Sequence, residues 1–158
     1  MSRKPTHADA ELLIRLYELR RDPELRRARK WFLTEFQPRP WDEIKGTYLT
    51  HSDEDRWFRM TFSYWEMVGT LVNRGVLHDE LFFDHTGEDV VTWERVKPWV
   101  DGARAAIRPT YLYHFEKLVK DHVAYRARLN ERFLKKSANG APRTNGRPAK
   151  RRAKAAAR

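Results

Sequence analysis

Residues 57 to 72 constrain this chain more than any other stretch. At 100° per residue, Trp57, Phe58, Met60, Phe62, Tyr64, Trp65, Met67, Val68, Leu71 and Val72 cover a helical arc of about 220°, against a stripe nearer 100° on an ordinary surface helix. A helix with so little polar surface needs neighbours on most sides, so it is predicted to sit at the centre of the fold. Ser52 and Asp55 form a capping-box pattern at its start, and Gly75 offers a left-handed stop after Arg74. The narrow polar strip holds Arg59, Ser63, Glu66, Thr70, Asn73 and Arg74. Arg59, Glu66 and Asn73 read as an inter-helix hydrogen-bond network, with a small pocket wall as the alternative.

The remaining punctuation supplies partners for that helix. Thr6 and Asp9 form another capping-box pattern, followed by Leu12, Leu13, Leu16 and Leu19 at helical spacing. Asp22-Pro23 restarts the chain, because proline suits the first helical position, and a second helix is expected to about Phe36 with Leu25, Ala28, Trp31, Phe32 and Phe36 inward. Residues 38–50 leave room only for a short helix around Trp41–Lys45. A short element at Leu77–Asp84 and a turn at Gly87 lead to a helix with Trp93, Val96, Val100 and Ile107 inward, running to about Arg108, with a kink expected at Pro98. Pro109 is expected to open the longest helix, to about Lys135, striped by Tyr111, Phe115, Leu118, His122, Tyr125, Leu129 and Phe133. No stretch alternates as a strand does, and no repeat is evident. The predicted fold class is all-α: an irregular helical bundle of about five main helices plus short helices, in one domain over residues 1–135, with a disordered basic tail over 136–158.

Charge sharpens that division. The 158 residues include 32 Lys or Arg and 22 Asp or Glu, a formal charge of +10. Residues 136–158 hold eight of the basic side chains and no acid, so the body is nearly neutral. The absence of cysteine excludes disulfides, thiolate nucleophiles and thiolate metal sites, and suits a reducing cytoplasm. No segment approaches the ~18 apolar residues of a membrane span, and the opening MSRKPTHADAE has no apolar core for export, so a cytoplasmic protein without a membrane span is expected.

Two stretches, LYELRRDPELRRARKWF at 16–32 and RMTFSYWEMVGTLVNRGVLHDELFFD at 59–84, resemble a bacterial family of small helical proteins classed as a domain of unknown function. The resemblance implies a helical fold and brings no activity, cofactor or catalytic residue with it.

The tail is the clearest functional signal. Arg143, Arg147, Lys150, Arg151, Arg152, Lys154 and Arg158 lie among Pro, Gly and Ala, a composition that builds no core but can follow a phosphate backbone. Five such charges on phosphates would give log affinity against log salt a slope of about −4.5. Gly146-Arg147-Pro148 resembles the core of an AT-hook, although Asn145 stands where that motif has a basic residue. A second cluster, Arg20, Arg21, Arg26, Arg27, Arg29 and Lys30, lies on the body, with Arg26, Arg27 and Lys30 on one outward face. It reads as a solvated face that could join the tail in one polyanion footprint.

Among enzyme readings, Arg108-Pro-Thr-Tyr-Leu-Tyr-His114 looks like the Arg-x(4–6)-His motif of HEPN-type ribonucleases, in which His moves a proton and Arg stabilises the phosphorane. Pro109 departs from the polar residue usual after that Arg. The order His51, His78-Asp79, then Asp101 or Asp121 is similar to that of helical metal-dependent phosphohydrolases, but Asp79 more naturally caps a short helix. His122 falls in an apolar stripe, as a hydrogen-bonded core histidine would. No Glu-x-x-His occurs, and neither metal nor cofactor is expected. The aromatics serve the core, except Trp41 and Tyr48, which are the candidates for a partly exposed protein-partner surface. The sequence therefore predicts a binding or interaction module whose tail contacts nucleic acid or another polyanion. The alternatives are a ribonuclease using Arg108 and His114, or a protein–protein adaptor with a merely solubilising tail.

Overall fold

The broad apolar arc becomes helix α4, Asp53–Asn73, with Phe58, Phe62, Tyr64, Trp65, Val68 and Val72 buried. The computed structural model describes residues 3–46 and 50–140, the side chains of 138–140 excepted. The tail cations Arg143, Arg147, Lys150, Arg151, Arg152, Lys154 and Arg158, the Gly146-Arg147-Pro148 triplet and Tyr48 lie outside the described residues. Around α4 stand α1 (His7–Arg20), α2 (Pro23–Thr34), α3 (Trp41–Ile44), α5 (Asp79–His85), α6 (Glu88–Ala106) and α7 (Tyr113–Gly140). Among the described residues the fold is all-α, five long helices and two short ones without a strand, and no helix is long and apolar enough to cross a membrane.

α2 and α7 flank α4, α3 lies on α6, and α6 closes against α7. Aromatic rings weld the layers: Phe58 meets Phe36 at 5.1 Å and Trp99 at 5.0 Å, while Phe115 of α7 lies between Trp65 of α4 and Trp93 of α6. Each such buried ring stabilises the fold by roughly 1.5–3 kcal/mol relative to exposure, which is why the arc on α4 dictates its central place. Gly75 at φ 69° ends the last turn of α4 as a left-handed stop.

Several expectations need correction. Leu19 is 51% exposed and Ile107 50% exposed, because α1 packs chiefly through Leu16 and α6 ends at Ala106, before Ile107 can turn inward. α7 begins at Tyr113 rather than Pro109, since residues 109–112 form turns with Leu112 at φ 54°, and it runs on to Gly140, beyond the expected end at Lys135. Met67 and Phe133 lie on predicted apolar faces yet are 41% and 63% exposed. Periodicity marks the inward side of a helix but cannot tell how far its neighbours extend.

The capping box at Thr6 forms as the pattern indicates, and Asp9 does more than cap. Its carboxylate, almost wholly buried, accepts from the Thr6 amide and hydroxyl, both at 2.7 Å, from Arg3, and from the His78 amide at 2.8 Å. Asp9 thereby ties the start of the chain to the α4–α5 link. The Arg3 guanidinium first, then Thr6, holds this carboxyl well below the usual carboxylate range. An unfolded Asp titrates at about 3.9, so the stability contributed by Asp9 is complete above about pH 5 and lost as the pH falls through the depressed folded value. Thermal unfolding followed by circular dichroism should therefore show the wild-type melting temperature falling more steeply between pH 5 and pH 2 than that of Asp9→Asn. Parallel acid limbs would contradict this.

Candidate functional site

Two surfaces carry the groups that the sequence sets apart. The first is an open cavity of about 760 Å³ bounded by α3, one face of α4 and the turn from α6 into α7. Arg59, Phe62, Ser63 and Glu66 share one side of α4 because they recur at helical spacing. Opposite them lie Ala106, Ile107, Arg108, Tyr111 and Leu112, and Trp41 and Lys45 close one end.

The wall at the start of α7 is built by α4. The Glu66 carboxylate accepts from the amides of His114 at 3.3 Å and Phe115 at 2.7 Å, capping a helix whose preceding residue, Leu112, has no polar side chain to do so. Its charge is favoured there by the positive end of the helix. One turn on, Gly69 meets the His114 carbonyl, and one turn further the Asn73 amide donates to that same carbonyl at 3.0 Å. Of the polar strip, then, Glu66 and Asn73 form the predicted inter-helix network, while Arg59 reaches the cavity from an ion pair with buried Asp55. That pairing engages Asp55 Oδ2, while Oδ1 has no partner among the described residues, and Ser52 caps α4 from one side only, accepting from the Asp55 amide at 3.2 Å. Arg104 fixes the opposite wall by donating to the Tyr111 carbonyl at 3.0 Å and to Glu116 at 2.7 Å.

Arg108 and His114 are separated by this construction. Arg108 lines the cavity and is exposed, and its side chain has no hydrogen bond or ion pair among the described residues. His114 does not line the cavity: Nδ1 faces the Asn73 amide at 3.3 Å and the ring meets Tyr113 edge-on at 5.2 Å. Trp41 is partly exposed, on the cavity wall.

The histidine–aspartate series also disperses. His78 caps α5 by accepting the Leu81 amide on Nδ1 at 3.2 Å, a role expected of Asp79, and Nε2 therefore donates to the Arg3 carbonyl. Asp101 pairs with Arg104 and Asp121 with Lys117, while His51 is exposed at φ 53°. Among the described residues, no three His, Asp or Glu side chains converge as metal ligands would. His122 is wholly buried and hydrogen-bonded, with Nδ1 2.7 Å from Asp89 and Nε2 2.8 Å from Arg126.

The second surface is the corner between α1 and α2, where two shallow grooves of about 590 and 440 Å³ share Arg26 and Arg29. The sequence cluster divides here into two kinds of cation. Arg20 and Arg29 are drawn in by Glu88 at the start of α6, and this half-buried carboxylate ties three helices together. Burial pushes Glu88 up, but Arg29 and Arg20 outweigh that and hold it below the ordinary range. Arg21, Arg26 and Lys30 are exposed and make no ion pair among the described residues, and Arg27 has only Glu24 at 3.6 Å. The sequence groups all six cations alike. Glu88, far along the chain, is what separates them.

A family model described as Domain of unknown function (DUF4760) matches residues 5–122. No curated protein and no solved structure matches the chain.

Proposed function

Because the chain belongs to that family, which covers about three quarters of its length and carries no assigned activity, we propose a function from the surface chemistry: a helical binding module for nucleic acid or a similar polyanion. The observation that carries the reading is the α1–α2 corner, where Arg21, Arg26 and Lys30 have no counter-ion among the described residues and stand beside two Arg-lined grooves. A backbone phosphate supplies the missing charge, and the condensed counterions it releases supply the driving force. The corner belongs to the body, so the body shares in binding with the eight cations of residues 136–158. The ribonuclease reading gains no such support from Arg108 and His114, because only Arg108 lines the cavity.

Fluorescence anisotropy with a labelled single-stranded RNA and a duplex DNA, at several salt concentrations, tests the reading. Replacing Arg21, Arg26 and Lys30 with alanine in the full chain should reduce the slope of log affinity against log salt by about 3, one for each lost phosphate contact. A version ending at Gly140 should lose a further share while keeping a measurable slope. Unchanged affinity and slope in the triple variant would remove the corner from the interface, and an absence of binding by the full chain would remove the function.

A further inference from the structure

We propose that the cavity bounded by α3, α4 and the α6–α7 turn binds a small aromatic monoanion, a planar ring system carrying one carboxylate or sulfonate. The inference stands apart from the polyanion reading, since it rests on a different surface. At about 760 Å³ the cavity falls within the size range of small-molecule sites, roughly 300–1,000 Å³. Its apolar side is largely aromatic, with Trp41, Phe62 and Tyr111, surfaces that favour a flat ring over a flexible chain.

Charge accounting selects the head group. Three cations line the cavity, but Lys45 holds Asp42 at 2.8 Å and Arg59 holds Asp55. The one acid of the wall, Glu66, is committed to the amides at the start of α7. Among the described residues, Arg108 is left as the single lining cation without a counter-ion. One uncompensated guanidinium beside an aromatic floor matches one anionic group on an aromatic body, and its planar fork suits a carboxylate or sulfonate. Nucleic acid is a poor fit, because its successive phosphates would meet a single free cation. The walls are also preorganised: Arg104 holds the Tyr111 carbonyl and Glu66 holds the first turn of α7, so little ordering is required when a ligand enters.

The test uses the full chain and two probes of similar shape: 1-anilinonaphthalene-8-sulfonate, which carries one negative charge, and neutral N-phenyl-1-naphthylamine. Fluorescence titration and calorimetry should give one sulfonate probe per chain, displaced by 1-naphthoate. Arg108 is exposed and has no side-chain partner among the described residues, so Arg108→Ala leaves the fold intact; it should weaken the sulfonate probe by about tenfold and the neutral amine by less than about twofold. Ser63→Trp, which places an indole in the cavity from an exposed position on α4, should abolish binding of both probes with an unchanged circular dichroism spectrum. The proposal is overturned if the wild type shows no saturable one-to-one binding, if Arg108→Ala affects both probes equally, or if binding survives in a folded Ser63→Trp.

Discussion

His122→Ala is expected to destabilise the protein by about 4 kcal/mol, from a buried cavity and from polar partners left unpaired. The ring is fully buried and stacks on Phe83 with centroids 4.7 Å apart. Arg126 Nε is always a donor, so Nε2 of His122 accepts from it at 2.8 Å and the ring proton sits on Nδ1, donated to Asp89 at 2.7 Å. Asp89 is equally buried, and its other oxygen already lacks a partner among the described residues. Removing the ring strands that carboxylate at the start of α6 and takes from Arg126 the acceptor that holds it on α7. Urea unfolding should show this as a lowered midpoint with an unchanged slope. A double-mutant cycle with Asp89→Ala should give a coupling well above ~0.5 kcal/mol, because the two residues share one network. A loss below about 1 kcal/mol for His122→Ala would mean that the ring is packed but not needed.

The contrast between His122 and Arg108 shows what was legible in the sequence. The position of His122 within an apolar stripe pointed it to the core, because periodicity marks the inward face of a helix, and at this turn of α7 the neighbouring helices cover that face. Its partner Asp89 carried no signal, since an acid just after Gly87 reads first as a residue favoured at a helix start. α4 was legible for the same reason as His122, and so were the caps at Thr6 and Ser52, which depend on residues three apart. What the sequence could not reveal is pairing across the chain. Glu88 sorts six clustered cations into two braces and four surface charges, and Glu66 caps a helix that starts 47 residues later. The cavity is of this kind too. Its residues come from three segments, and the polar strip on α4 hinted at a wall without indicating what stood opposite. The Arg108–His114 spacing was visible, but a turn with Leu112 at φ 54° lies between them and sends only Arg108 to the cavity.

Gly69→Ala should be the converse of a routine helix-stabilising change. In the interior of α4 an alanine would ordinarily gain about 1 kcal/mol over glycine. Here a Cβ would stand 2.4 Å from the His114 carbonyl oxygen and 2.7 Å from its carbon. Both atoms are backbone, so no side chain can swing aside, and the first turn of α7 has to retreat from α4. That turn is held by Glu66 at the Phe115 amide and by Asn73 at the His114 carbonyl, and Phe115 behind it packs between Trp65 and Trp93. Retreat loosens two hydrogen bonds and a ring contact together, and the expected net loss is about 3 kcal/mol, at the upper end of overpacking costs. Gly46→Ala is the control: among the described residues nothing lies within 4 Å of a Cβ there, and stability should change by less than about 0.5 kcal/mol. The same retreat moves the wall that Glu66 and Leu112 give the cavity, so Gly69→Ala should also weaken the naphthalene probes without touching a cavity side chain. A Gly69→Ala protein as stable as wild type in urea would show that α7 is not seated on α4 as closely as the Gly69–His114 contact requires.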